Sequence, residues 1–204
     1  MKFHLPAIVL ASIILLSGCG SKSPTASNTS TNSPVSSTSN VGQTPASVTS
    51  NWYTYTSKDG SYTVLFPNQP KETKELQKTA VGNLNLLLAS YTDKQQNIDY
   101  LANETKLGAE APKSSVSRIL DGLRNGAVKG SNSILINEKN ITLNGYSGRE
   151  ITYRSSNGDL YFRARIFVDT KNSILYGLRV AVNKEADLNS QEATAFLDSL
   201  TIKS

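Results

Sequence analysis

The sequence predicts an α+β fold in which an antiparallel β-sheet meander packs with two main α-helices. Three observations support this prediction. From residue 51 onward, most segments alternate apolar and polar residues with the two-residue period of a strand. Short turn sequences separate these segments, so neighbouring strands are expected to be joined as hairpins. Two other segments repeat apolar residues at helical spacing, and there is no regular strand–helix alternation.

Two strand pairs are expected at the start of the domain. In each pair, two β-prone runs flank a short polar or glycine-containing turn. The last of the four runs is apolar enough to lie inside the sheet. The pairs are residues 52–56 with 62–66, joined by a turn at 57–60, and residues 74–81 with 84–91, joined by a turn at Gly82-Asn83.

From Lys113 the pattern changes to that of an amphipathic helix. Apolar residues recur there at i, i+3, i+4, i+7 and i+11, which lines one face of a helix. Pro112 precedes this run and Gly130 follows it, and these residue types favour a helix start and a helix stop. The apolar face consists of Val116, Ile119, Leu120, Leu123 and Ala127.

Three or four strands joined by turns of hairpin length are predicted next, as the antiparallel meander. They are residues 134–143, 146–154, 160–168 and 174–182, with turns at Asn144-Gly145, 156–159 and 170–172. A second helix then follows, for which Asn189 is the predicted N-cap, Glu192 its capping-box partner and Leu188 a hydrophobic staple. Its apolar face is Ala193, Phe196, Leu197 and Leu200.

The amino terminus has the organisation of a signal peptide. Lys2 precedes an apolar run from Leu5 to Leu16, which as a helix of about 18 Å is too short for a hydrocarbon core of about 30 Å. The tetrapeptide at 16–19, Leu-Ser-Gly-Cys, resembles the lipobox of bacterial lipoproteins. We expect residues 1–18 to be removed as a lipoprotein signal peptide and Cys19 to be lipidated. The alternative is an ordinary secretory signal, with Cys19 incidental.

A linker is predicted between this anchor and the domain. Residues 20–50 contain sixteen Ser or Thr, three Pro, no aromatic residue and one charge, Lys22, so they cannot bury enough apolar surface to offset the entropy of ordering. The domains are therefore a signal peptide at 1–18, a lipidated cysteine with a disordered linker at 19–50, and an α+β domain at 51–204. The linker composition also fits a glycosylated stalk.

The charged and reactive residues exclude several classes of function. Without Lys2 and Lys22 there are 19 Lys and Arg against 16 Asp and Glu, which is not typical of nucleic-acid binding. The only His is His4 and the only Cys is Cys19, so Ser-His and Cys-His pairs and His or Cys metal ligation are excluded in the mature chain. We expect no metal and no cofactor, because calcium-loop spacing and a glycine-rich phosphate loop are also missing.

Two candidate sites remain. Convergence of Glu150, Asp159 and Asp169 would make a carboxylate hydrolase, although acids at strand ends are usually surface residues. The other candidate is a basic patch for an acidic protein or a lipid head group. If the apolar faces of strands 160–168 and 174–182 coincide, the patch consists of Tyr161, Arg163, Arg165 and Arg179. The alternative is a sheet face that pairs with Glu150 or that a second helical layer covers.

Three local motifs resemble the PsbP/DcrB-like superfamily, whose α+β sandwich domains include extrinsic photosystem II proteins and exported lipoproteins. Residues 59–67 are similar to its opening hairpin, residues 144–150 to the Gly-x-x-Gly-Arg-Glu strand of bacterial members, and residues 196–200 to its closing helix. The resemblance covers about residues 52–202 and implies a PsbP/DcrB-like sandwich. These are turn and packing residues, so they imply a fold and no chemistry. A photosystem role is one option among several.

The expected function follows from the anchor and from the missing catalytic residues. We expect an exported lipoprotein, anchored at the extracytoplasmic face of a membrane, that is not an enzyme and acts as a binding or assembly module through contacts with an unidentified protein. The alternatives are a lipid-anchored carboxylate-type hydrolase and a small-ligand or lipid carrier with an apolar cavity.

Overall fold

The computed structural model describes residues 48–79, 82–107 and 115–203. The predicted signal peptide, Cys19, nearly all of the linker and Pro112 lie outside the described residues. The elements are β1 Tyr53–Thr56, β2 Tyr62–Phe66, β3 Lys71–Thr79, β4 Gly82–Asp93, β5 Ile98–Lys106, α1 Val116–Gly130, β6 Ser133–Leu143, β7 Tyr146–Ser155, β8 Tyr161–Asp169, β9 Ile174–Val182, a 3-10 turn Glu185–Asn189, α2 Gln191–Asp198 and β10 Thr201–Ile202.

The strands form two antiparallel sheets. The large sheet has seven strands in the order β3-β4-β5-β9-β8-β7-β6, and the small sheet has the order β1-β2-β10. Strands β6 to β9 are neighbours in both sequence and space, so the predicted meander is confirmed. With two helices in the described residues, the architecture is mixed and mostly β, in agreement with the α+β prediction.

One face of the large sheet, the α2 face, packs against α2 and the small sheet. On this face Tyr176 contacts Tyr62 of β2, with ring centroids 5.6 Å apart, and Tyr100 contacts Phe196 of α2 at 5.1 Å. The aromatic rings bury a large apolar area and interlock edge to face, which favours this arrangement over a loosely packed one. The α2 face therefore carries the larger of the cores described, and it includes Leu178 and Val180 of β9.

The opposite face, the α1 face, is covered by α1 over strands β6, β7 and β8. Leu120, Leu123 and Ala127 of the predicted apolar stripe are buried there, and Val116 and Ile119 pack beside them. Ser115 caps the helix by accepting a hydrogen bond from the Arg118 N–H at 3.3 Å. Because both faces are covered, the central strands carry apolar residues at successive positions.

Two predictions about the strands need correction. Strand β5 is not predicted at all, because Asp99, Asn103 and Glu104 interrupt its apolar pattern; pairing with β4 and β9 holds these residues in a central strand. The predicted Gly82-Asn83 turn is wrong, since Gly82 and Asn83 belong to β4 and pair with Thr79 and Lys78 of β3.

At α2 the N-cap is Ser190 and not Asn189. The Ser190 side chain accepts a hydrogen bond from the Ala193 N–H at 3.1 Å, and Asn189 still belongs to the preceding 3-10 turn. This shift by one residue places Glu192 second in the helix, where it cannot complete a capping box. Ala193, Phe196 and Leu197 of the predicted apolar face are buried in the helix, whereas Leu200 is buried just beyond the helix end at Asp198.

Candidate functional site

The four residues of the predicted basic patch do not share one surface. In the β8–β9 register, Arg163 lies opposite Val180 and Arg165 opposite Leu178, so both arginines lie on the α2 face together with Tyr161. Arg179 lies opposite Ala164 and therefore on the α1 face, with its guanidinium 5.6 Å from the Phe162 ring centroid. The predicted grouping of the three arginines on one face is wrong, because the apolar side of β8 faces α1 whereas the apolar side of β9 faces α2 and the small sheet.

Arg163 and Arg165 bind a buried carboxylate instead of forming an open patch. Glu150 is 6% exposed and accepts hydrogen bonds from Arg165 Nε at 2.6 Å and from Arg163 at 3.1 Å, and Lys139 Nζ lies 3.0 Å away. Arg165 also bonds to the Leu197 carbonyl at the end of α2. The face of β8 that carries these arginines is therefore paired with Glu150 and covered by a helix, and it does not form an open basic patch.

The charges around Glu150 determine its ionisation. Burial alone would raise the pKa of Glu150, but hydrogen bonds from Arg165, Arg163 and Lys139 outweigh burial and lower the pKa to about 2. A carboxylate so firmly ionised is a poor general base or acid near neutral pH. We therefore assign Glu150 a role in holding α2 and the sheet together.

The other two acids of the predicted carboxylate set lie far from each other. Asp159 precedes β8, whose nine residues span about 30 Å, and Asp169 is its last residue. Asp169 is buried, and it accepts hydrogen bonds from the backbone and side chain of Asn172 in the following turn. Glu150, Asp159 and Asp169 thus do not converge.

A different site lies on the α2 face, beside the β1–β2 turn. It is an open groove of about 940 Å³ between this turn and the outer half of strands β3, β4 and β5. We call it the lysine groove. Its lining residues are Lys58, Asp59, Lys74, Glu75, Leu76, Asn85, Leu86, Leu87, Glu104, Lys106 and Leu107.

Strand pairing shows which side chains face the lysine groove. Lys74 lies opposite Leu87, and Leu87 lies opposite Glu104, so these three side chains share the α2 face. Glu75 and Leu86 form the neighbouring pair and project to the other face, because successive residues of a strand alternate. Glu75 and Leu86 are nevertheless among the residues that line the groove.

Glu104 forms the buried floor of the lysine groove. It is 6% exposed, and its Oε2 accepts a hydrogen bond from the Ser61 hydroxyl at 2.8 Å. The backbone N–H of Ser61 donates to Asp59 Oδ1 at 3.0 Å, and the Ser57 hydroxyl donates to the same oxygen at 3.1 Å. The turn thus brings two carboxyl groups to one serine.

The two carboxyl groups differ in ionisation. Burial raises the pKa of Glu104, whereas the hydrogen bond from the Ser61 N–H lowers the pKa of Asp59. Because folding raises the pKa of Glu104, its contribution to stability is greatest when it is protonated and is lost as the pH rises through its folded pKa. Asp59 stays ionised over a wider pH range than an ordinary aspartate.

Three lysines line the groove. In the described part of the chain, Lys58, Lys74 and Lys106 form no direct ion pair. The charge of Lys106 nevertheless favours the ionised forms of Asp59 and Glu104. Leu76 beside them is 59% exposed. None of these residues is predicted as a site from the sequence. The groove is formed by a turn and three strands, and one of these strands, β5, is not predicted.

The described residues contain no group of three or more His, Cys, Asp or Glu that could hold a metal ion. Among their helices, none combines the length and apolarity needed to cross a membrane.

The structure defines a mixed, mostly β domain with two packed sheets and an open groove lined by lysines. No family model matches the sequence, and no curated protein matches it either. Among solved structures, the chain is similar to the crystal structure of LpqN, which is involved in cell envelope biogenesis of Mycobacterium tuberculosis. The TM-score is 0.45 and the identity 13%, over 81% of this chain and 100% of LpqN. So remote a likeness carries no argument about function.

Proposed function

We propose that the chain is an exported lipoprotein, anchored through Cys19 at the extracytoplasmic face of a membrane, and that its domain is a noncatalytic binding module. The observation that carries the binding role is the lysine groove, a concave site of about 940 Å³ that lysines and leucines line together. Concave sites that combine apolar residues with a few charged groups are typical of ligand binding. The PsbP/DcrB-like relationship remains a prediction from sequence motifs.

The proposed anchor rests on the order of residues at the amino terminus. An apolar run is followed by Leu16-Ser17-Gly18-Cys19, and the thiol of Cys19 is the nucleophile that would accept an acyl-bearing group. Each buried acyl CH₂ contributes about 0.8 kcal/mol, so two or three chains hold a protein stably where one does not. The linker would then let the domain reach ligands near the bilayer.

Replacing Cys19 with serine should abolish lipidation and release the chain from membranes, because a hydroxyl cannot substitute for the thiol. The measurement is incorporation of an alkyne-tagged fatty acid in cells, together with fractionation of membranes. A Ser23→Ala variant in the linker serves as the control and should keep both properties. Wild-type protein that carries no acyl group by mass spectrometry would contradict the anchor.

Partner recovery tests the binding role. The full chain is cross-linked in its native membranes and purified, and the wild type is compared with a Lys58→Gln, Lys74→Gln, Lys106→Gln variant. We expect at least tenfold less of the cross-linked molecule to be recovered with the variant than with the wild type. The control, Lys129→Gln, Lys171→Gln, Lys184→Gln, removes the same charge from exposed sites elsewhere. Equal recovery by all three proteins would exclude the lysine groove as the binding site.

A carboxylate-type hydrolase is the second candidate, and one observation favours it. Asp59 and Glu104 meet at Ser61 with pKa values shifted in opposite directions, as an acid–base pair requires. The discriminating measurement is the mass of a ligand recovered from the groove. If the wild type retains fragments smaller than the ligand that Glu104→Gln retains, the hydrolase is favoured. If the wild type and Glu104→Gln retain the same intact ligand, the binding module is favoured.

A further inference from the structure

We propose that the lysine groove binds a single anionic amphiphile, a molecule with an acyl chain and one phosphate or carboxylate head group. The inference rests on the proposed binding role of the groove and specifies the ligand. It combines the balance of charge on the α2 face with the position of the leucines and the size of the groove.

The charge balance of the groove favours an anion. Lys74 and Lys106 lie on the α2 face by strand register, and Lys58 extends the positive charge onto the β1–β2 turn. Ser61 donates a hydrogen bond to Asp59 and another to Glu104, which fixes the two carboxyl groups without removing their charge. Glu75 belongs to the opposite face. The three ammonium groups therefore outnumber the two carboxyl groups on the α2 face of the groove, and ammonium groups bind phosphate and carboxylate well.

The apolar residues of the groove favour an acyl chain on that anion. Leu76 is 59% exposed on edge strand β3, and Leu87 is partly buried on β4 beside it. Both side chains share the α2 face with the lysines, because Leu76 lies opposite Asn85 and Leu87 opposite Lys74. Covering apolar surface contributes about 25 cal/mol per Å², which a small hydrophilic anion cannot gain.

The size of the groove favours one small molecule over a protein surface. Its volume of about 940 Å³ falls within the range of about 300–1,000 Å³ that is usual for small-ligand sites. A stable protein partner would need about 800 Å² of contact on each side, which calls for a much broader surface. An acidic peptide strand is the competing occupant, and it is included in the test.

Native mass spectrometry of the full chain in a mild nonionic detergent tests the proposal. The probes are dioctanoyl phosphatidylglycerol, dioctanoyl phosphatidylcholine with the same chains, glycerol 3-phosphate as the head group alone, and a hexaglutamate peptide. We expect phosphatidylglycerol to bind at least tenfold more tightly than each of the others. The Lys58→Gln, Lys74→Gln, Lys106→Gln variant should lose at least tenfold in that affinity, and the Lys129→Gln, Lys171→Gln, Lys184→Gln control should keep it.

Each alternative result has a definite meaning. Equal binding of the two lipids, binding of glycerol 3-phosphate as tightly as phosphatidylglycerol, or preferential binding of hexaglutamate would overturn the anionic amphiphile. Unchanged affinity in the groove variant would also overturn it, provided that thermal melts show both variants folded. If no probe binds while the groove variant still loses its cross-linked partner in membranes, the binding role stands and only the ligand class fails.

Discussion

Replacing Glu150 with glutamine should destabilise the domain by roughly 3 kcal/mol at pH 7, the usual cost of breaking a buried ion pair. The change leaves the guanidinium groups of Arg163 and Arg165, which are 12% and 17% exposed, without their shared counter-ion. Arg165 also links β8 to the end of α2, so the loss should spread to the packing of that helix. Urea unfolding of the full chain, followed by far-ultraviolet circular dichroism, measures the effect.

The pH dependence of this effect provides a second check. The pKa of Glu150 is lowered to about 2 in the folded state from an ordinary value near 4.5, so its stabilisation is complete above about pH 5. Most of it is lost as the pH falls to about 2 and the rest below that, so the stability of the wild type should approach that of Glu150→Gln near pH 2. Glu185→Gln, at an exposed position, is the control and should change stability by less than about 0.5 kcal/mol. A gap between wild type and Glu150→Gln that stays constant down to pH 2 would disprove the ion-pair explanation.

The second large effect is expected at Gly148. A Cβ at this position would lie 2.5 Å from Cδ1 of Phe167 and 2.6 Å from the Ile166 carbonyl oxygen. The carbonyl belongs to the neighbouring strand, so a side chain rotation alone cannot relieve the contact. Gly148→Ala should therefore force β7 and β8 apart and cost about 3 kcal/mol, the upper part of the usual range for overpacking.

Thermal and urea unfolding of Gly148→Ala measure this cost. Gly130→Ala, at the exposed last residue of α1, is the matched control and should be neutral or slightly stabilising, because alanine favours helix. Adding Phe167→Ala to Gly148→Ala should not restore stability, since the clash with the Ile166 carbonyl remains. A loss below about 1 kcal/mol for Gly148→Ala would show that the strands adjust more easily than the structure implies.

Local sequence signals predict most elements of the fold. The two-residue period identifies β1, β2 and the meander, and the helical period identifies α1 and the apolar face of α2, because these patterns reflect one buried side per element. Asn144-Gly145 is correctly predicted as a turn, with positive φ at both residues. Strand β5 cannot be predicted in this way, because its polar residues are compatible with a central strand only when residues of the adjacent strands leave room for them. Asn103, for example, lies opposite Gly177, where a Cβ would collide with its side chain.

The candidate sites could not be predicted to the same extent. The sequence identifies Arg163, Arg165 and Arg179 as the charged positions of two apolar strands, but both strands are buried on two faces. Alternation then shows that neighbouring residues face opposite sides and does not show which side faces which layer. Only the register of β8 with β9 separates Arg179 from the other two arginines.

By itself, the sequence determined the strands and helices with a strong apolar period, the turns with positive φ, and the lack of His and Cys in the domain. These properties depend on residues a few positions apart, whose chemistry acts locally. The tertiary structure alone decided the pairing of Glu150 with Arg163 and Arg165, and the joining of Lys58, Lys74 and Lys106 around Glu104. Those groups come from separate strands and turns, and strand order and register set their distances.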